Sequence, residues 1–343
     1  MSFQIQVLIL ILVILFSLTV TRIDLDQTFS QIQADSDFNQ QSKTLGLENL
    51  VNQEQSKDLF NLSYQAMTLK TINNQPQFKE KEIKIKKAPI RNWEILDPEI
   101  NAAAVLIESL DDGFPFFYQQ IYQSWPIASL TKLLTAVVVI EDIGINKKIE
   151  ITPEIIITEG SSGNFQIGEI YTALDLLKIM IITSSNDAAA AFESFYGKEA
   201  FINRLNEKAK ELKMTQTKIV DASGLSSENK STASDIAKLL RYIVERHPDI
   251  LNWSRLPSIL VQPISKSGMI YTLESRNLQN INPLVEERSF LGGKTGTSPK
   301  AKENLAAIFS FNNQRLLFII LGSNNRVKDT KDLLNWVDKA YYY

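Results

Sequence analysis

At 343 residues, 44% hydrophobic and 22% charged, the chain can build one large core or two domains. A formal net charge of -3 offers nothing to nucleic acid, and the absence of cysteine excludes a thiol nucleophile, a disulfide framework and any Cys-based metal site. The single histidine, His247, excludes a histidine-rich metal site and leaves a Ser-His-Asp triad one candidate base. No metal or other cofactor is expected.

The run VLILILVILFSLTV at residues 7–20 contains ten consecutive apolar residues, Val7 to Phe16. It suits a signal-peptide core, and counting back to Phe3 gives 18 residues, nearly enough to span a bilayer. No Lys or Arg precedes it, Arg22 follows it, and no A-x-A-like cleavage site is present. Residues 1–22 are read as an N-terminal membrane anchor, with a cleaved signal segment as the alternative. Either one exports the rest, which is then extracytoplasmic and, if anchored, membrane-bound. Residues 23–91 are polar and rich in Gln, with too little apolar area to offset ordering entropy. They are expected to be a largely disordered linker, with short helices around Leu45–Phe60. Its end, FKEKEIKIKKAPIR (Phe78–Arg91), alternates in mixed charge. It reads as a solvated linker end, with a polar edge strand or a basic patch touching anionic lipid or polymer as alternatives.

From about Trp93 the pattern is that of a packed domain, taken as residues 92–343. The apolar run Ala102–Leu110, the Asp111-Asp112-Gly113 turn and FPFFYQQIY form a β-hairpin. The next run, WPIASLTKLLTAVVVIEDI, starts a helix after Pro126 that is apolar on most sides and therefore buried. Further helices are expected at Ala173–Thr183, Ala188–Phe195, Lys198–Leu212 and Ala233–Glu245. ENLAAIFSF and RLLFIILGS form a second hairpin through Asn312 and Asn313, and Thr330–Ala340 a last helix. Strands, then helices, then strands imply an α+β domain. Its N- and C-terminal hairpins should pair in one mainly antiparallel sheet.

Three short motifs carry chemistry. Ser129-Leu130-Thr131-Lys132 puts Ser129 and Lys132 one helical turn apart on one face. A serine hydroxyl needs a base, and burial can lower a lysine's pKa enough to make it one. Ser129 at a helix start would also meet N–H groups that favour developing negative charge. Ser184-Ser185-Asn186 follows an apolar helix, 52 residues after Lys132. Lys294-Thr295-Gly296-Thr297 can put a cation, a hydroxyl and close backbone in one cleft. Taken singly, each has an ordinary reading: an N-cap beside a lysine, another N-cap, a turn. Their joint occurrence in this order, with a buried helix at the first, points to one site.

That order, Ser-x-x-Lys, Ser-x-Asn, Lys-Thr-Gly, is the signature of β-lactamases and penicillin-binding proteins. Over about Trp93–Tyr343 the sequence resembles the low-molecular-mass penicillin-binding proteins, serine-type D-alanyl-D-alanine carboxypeptidases. PIASLTKLLTA, GEIYTALDLLKIMIITSSNDAAAAF, DASGLSSENKSTASDIAKLLRYI, LGGKTGTSPKAKENL and LGSNNRVKDTKDLLNW carry the resemblance. It implies a β-lactamase/transpeptidase-like fold: a five-stranded antiparallel sheet flanked by helices, with the cleft between the sheet and the helical part. It also implies roles. Ser129 resembles the acylated serine and Lys132 its base; Ser184 resembles the relay of a proton to the leaving D-alanine; Asn186 resembles the residue orienting Lys132 and the substrate amide. Lys294 and Thr295 resemble the readers of the substrate's terminal carboxylate, and Arg276 resembles an arginine that binds it. The N–H groups of Ser129 and Thr297 would form the oxyanion hole. The implied substrate is the peptidoglycan stem peptide, with β-lactam antibiotics as acylating inhibitors.

Many members of that family carry a C-terminal β-domain and an amphipathic anchor helix, whereas this sequence ends at Tyr343 with neither, so the tether is expected at the N-terminus. Thr297 stands where an aromatic residue or His is frequent. The same residues would serve a D,D-endopeptidase or transpeptidase. The Glu-x-x-Leu-Asn pattern of a fast class A-type β-lactamase is absent after Ser184. A non-catalytic wall-binding module should have lost a motif residue, and none is lost. His247, before Pro248 near a helix end, is expected to cap or face solvent rather than act in catalysis.

Overall fold

The computed structural model describes residues 88–156, 163–266 and 273–342. The apolar run at 7–20, the linker to residue 87 and the helices expected around Leu45–Phe60 lie outside the described residues. Among the described residues, no helix is long and apolar enough to cross a membrane. The last part of the alternating stretch, Ile90–Arg91, forms a two-residue strand paired antiparallel with Tyr341–Tyr342.

Five strands form the central sheet: β1 (Ala104–Ser109), β2 (Pro115–Gln119), β3 (Phe290–Ser298), β4 (Lys302–Phe311) and β5 (Gln314–Ser323). Their order is β3-β4-β5-β1-β2, every neighbour antiparallel. The two expected hairpins therefore pair, with Leu316 opposite Ser109 and Leu321 opposite Ala104. Asn312 and Asn313 both have positive φ, 44° and 61°, as a type I′ turn requires. That turn matches the strand twist and so sets the β4–β5 register.

Side chains alternate across a sheet, and here both faces are covered, so the middle strands read as unbroken apolar runs. Leu106, Ile308, Leu317 and Ile319 join one core; Val105, Ile107, Phe309, Phe318 and Ile320 join another. The first core is shared with α1 (Thr131–Val138), α2 (Ala173–Ile182), α3 (Asn186–Tyr196), α4 (Lys198–Glu211), α5 (Ala233–Arg246) and α6 (Pro248–Ser254). The second is closed by Leu333, Trp336 and Val337 of α7 (Arg326–Ala340). Full burial of one such side chain stabilises by about 1.5–3 kcal/mol.

Two shifted helix starts and one added helix are the main departures from the sequence pattern. α1 begins at Thr131, not directly after Pro126, because Trp125–Pro126 pairs as a short strand with Lys230–Ser231 and a 3₁₀ turn, Ala128–Leu130, intervenes. α7 starts four residues before the expected Thr330, where the Asn325 side chain caps the Lys328 N–H. α6 was not expected; Pro248 at its first position supplies a preset φ.

Candidate active site

The first motif lies on the 3₁₀ turn, held from several sides. The Ile127 N–H donates to the Asn229 carbonyl at 2.9 Å and the Leu130 N–H to the Ile127 carbonyl at 3.1 Å. Thr131 Oγ1 donates to the Ala128 carbonyl at 2.8 Å, and Asn304 Nδ2 to the Pro126 carbonyl at 2.9 Å. Ala128 takes a left-handed φ of 46°, a conformation that costs on the order of 1–3 kcal/mol and persists only under such constraint. Ser129 is half-buried between the buried Ala128 and Leu130.

Lys132, in the first turn of α1, is fully buried. Its Nζ lies 3.1 Å from Ser129 Oγ, 2.7 Å from Asn186 Oδ1 and 2.6 Å from the Ser223 carbonyl. Burial lowers its pKa from 10.5 to about 7, against a smaller raising effect from the Asp221 carboxylate. A neutral amine has two N–H donors and one lone pair. The two oxygen acceptors take the donors, which leaves the lone pair for the Ser129 hydroxyl.

The second and third motifs meet across the cleft. In the second, Ser185 supplies the expected N-cap, accepting the Ala188 N–H at 3.1 Å. Ser184 sits one residue earlier with a φ of 58°, and its Oγ accepts from Lys294 Nζ at 2.9 Å. Lys294 also donates to the Thr295 carbonyl at 2.8 Å. Burial lowers the Lys294 pKa well below its usual value, with Lys132 and Arg326 adding to the effect. β3 is an edge strand, and Gly296 brings it against the first motif: a Cβ there would lie 2.9 Å from the Ile127 carbonyl and 3.0 Å from the Ser129 nitrogen. The next residue, Thr297, is exposed at the strand's end.

Ser129, Lys132, Ser184, Asn186, Lys294 and Thr295 thus lie in one region, Ser129–Lys132–Asn186 and Ser184–Lys294 as bonded groups. Arg276 does not join them. It lies on the short strand Arg276–Gln279, and its guanidinium engages both carboxylate oxygens of Glu169 and the Tyr171 hydroxyl. The arginine at the third motif is Arg326, which donates to Thr297 Oγ1 at 2.6 Å and to the Gly296 carbonyl at 3.2 Å. Its signal was available but faint: a cation in the first turn of a helix opposes the macrodipole and needs another reason to be there. The loop after Val220, which brings the Ser223 carbonyl to Lys132, carries part of the family resemblance, but no role at the site is read from it. His247 lies apart, its Nε2 2.8 Å from Glu141 Oε1, beside Tyr242 and Lys208 on the same carboxylate. Among the described residues no cluster of three or more metal-ligating side chains occurs.

The arrangement can take a proton from a serine hydroxyl, hold an anionic group beside a lysine and an arginine, and accept an extended chain along an open strand edge. Residues 91–325 match the family model described as D-alanyl-D-alanine carboxypeptidase. The chain is 29% identical over 253 residues to the D-alanyl-D-alanine endopeptidase of Escherichia coli K12, covering 70% of this chain and 78% of that protein. It is 33% identical over 206 residues to that of Haemophilus influenzae, covering 58% and 68%. It is 27% identical over 248 residues to the D-alanyl-D-alanine carboxypeptidase DacF of Bacillus subtilis, covering 70% and 61%. The Streptomyces K15 DD-transpeptidase shares the fold at a TM-score of 0.65 and 21% identity, covering 71% of this chain and all of that one. The family match takes in all three motifs and the whole central sheet, stopping just before α7, and the chain belongs to the D-alanyl-D-alanine carboxypeptidase family of serine peptidases.

Proposed function

We propose that the protein removes the terminal D-alanine of peptidoglycan stem peptides through an acyl-enzyme on Ser129. The observation that carries this is the Lys132 amine, fully buried, with a pKa lowered to about 7 and 3.1 Å from Ser129 Oγ. Lys132 takes the hydroxyl proton, and Ser129 Oγ attacks the carbonyl carbon of the penultimate D-alanine. The N–H groups of Ser129 and Thr297 receive the oxyanion. Ser184, bonded to Lys294, passes a proton to the departing D-alanine nitrogen, and water then releases the acyl group. Lys294, Thr295 and Arg326 read the free carboxylate. A β-lactam presents a similar carboxylate and strained amide, and stops at the acyl-enzyme.

A second reading, D,D-endopeptidase, uses the same residues on a crosslink; it is favoured by the Escherichia coli and Haemophilus influenzae relatives, both D-alanyl-D-alanine endopeptidases. The apolar run at residues 7–20 anchors the domain to the outer face of the cell membrane, where its substrate lies. The test is labelling by a fluorescent penicillin, which Ser129→Ala should abolish; labelling that survives the substitution overturns the assignment. Incubation with crosslinked and uncrosslinked muropeptides, followed by mass spectrometry, separates the two readings by which loses mass.

A further inference from the structure

The segment between Ile219 and Lys230 touches the first motif at more points than a surface loop requires. Asn229 is fully buried; its Oδ1 accepts the N–H groups of Val220 (2.9 Å) and Asp221 (3.2 Å). Its Nδ2 donates to Thr131 Oγ1 at 3.1 Å. Thr135 Oγ1 of α1 donates to the Ala222 carbonyl at 2.7 Å. Gly224, at a φ of 86°, packs so closely that a Cβ would lie 2.0 Å from the Ala128 carbonyl oxygen.

Within this segment one side chain organises the turn. Asp221 Oδ1 accepts the N–H groups of Ser223 (2.9 Å), Gly224 (2.6 Å) and Leu225 (3.2 Å) and the Ser223 hydroxyl (2.8 Å). Its Oδ2 accepts the Ser226 N–H at 2.8 Å. With its N–H groups gathered on the carboxylate, the turn directs the Ser223 carbonyl at Lys132 Nζ, 2.6 Å away. That carbonyl is one of the two acceptors that orient the amine. Fixing it fixes where the lone pair points.

We propose that Asp221 is a positioning residue for Lys132: by pinning the Ser223–Ser226 turn it aims the Lys132 lone pair at the Ser129 hydroxyl. The proposal rests on Lys132 being the base. The carboxylate also acts on the lysine as a charge, in the direction that favours the ammonium. The other charged groups around the pair are Lys294 on β3, which opposes a second positive charge, and Glu193 on α3, which accepts the Ala222 N–H at 3.1 Å. Arg326 acts on Lys294.

The test compares Asp221→Asn and Asp221→Ala in the full chain, measuring penicillin acylation rate from pH 5 to 9, with active fraction titrated and thermal stability recorded. Asn keeps an oxygen acceptor for the turn but removes the charge. Its acid limb should move to lower pH by about half a unit with a plateau within a few-fold of wild type. Ala removes acceptor and charge, and its plateau per active molecule should fall about 10-fold or more. An Asp221→Ala plateau equal to that of Asp221→Asn overturns the proposal; the Asp221→Asn midpoint reads the charge alone. Should Asp221→Ala fail to fold, Asp221→Glu decides: it keeps the charge but displaces the carboxylate from the turn, so its plateau should fall about 10-fold, and a wild-type plateau overturns the proposal. A wild type with no acid limb would instead overturn Lys132 as the base, so the two failures are distinguishable.

Discussion

The chemistry assigned to Lys132 has a quantitative signature in pH. Its pKa in the folded chain is about 7, because burial penalises the ammonium more than Asp221 favours it. Only the neutral amine can take the Ser129 proton. The neutral fraction is then about one half at pH 7, about 10% at pH 6 and about 1% at pH 5. The competent form is present above the pKa and lost as pH falls through it. The second-order acylation rate should therefore be flat near pH 9, halve close to pH 7 and drop about tenfold per pH unit below pH 6. Lys132→Arg keeps the charge but is protonated throughout, and should acylate at least about 10²-fold more slowly at pH 8. A time course with fluorescent penicillin at fixed ionic strength, over pH 5 to 9, reads both effects. A rate independent of pH across that range, or Lys132→Arg reacting at the wild-type rate, would refute the base role.

Lys294 is buried beside Ser184 and near Arg326, so a peptide ending in D-Ala-D-Ala should be cleaved much faster than its C-terminal amide. Losing one partner of such a charge pair costs about 2–5 kcal/mol, and Lys294→Ala should erase most of the preference. Equal kcat/KM for acid and amide in the wild type would exclude carboxylate reading. Gly224→Ala places a methyl 2.0 Å from a fixed carbonyl and should lower stability by about 3 kcal/mol or more, together with the labelling rate. Gly113→Ala is its control: its φ is 76° but nothing lies within 4 Å, so only the backbone cost of about 1–2 kcal/mol should appear. Similar melting temperatures for the two variants would show that the Gly224 contact does not constrain the turn.

Local pattern carried much of the architecture. Short unbroken apolar runs within Ala104–Ser109, Lys302–Phe311 and Gln314–Ser323 are strands buried on both faces of the sheet, and Asn312-Asn313 is a hairpin turn because Asn tolerates positive φ. The offset of three between Ser129 and Lys132 survives a change from α-helix to a 3₁₀ turn running into one, since both place i and i+3 on one side. Ser185 explains why the second motif reads as an ordinary N-cap: it is one, and the hydroxyl that meets Lys294 is its neighbour's.

What the sequence by itself determined was the presence of a serine–lysine pair, a Ser-x-Asn and a Lys-Thr-Gly, and a sheet able to hold them. Those signals lie within a few residues, where covalent geometry alone fixes spacing. Only the tertiary structure decided that Lys132 is buried enough to lose its proton near neutrality, because desolvation depends on every element packed around it. It also decided which arginine reaches the third motif. Arg276 and Arg326 are equally cationic on paper, but Glu169 and Tyr171 occupy the first, while α7 delivers the second to Thr297. The turn built on Asp221 belongs to the same class: its carbonyl meets a lysine 91 residues away, and no local pattern records a contact of that separation.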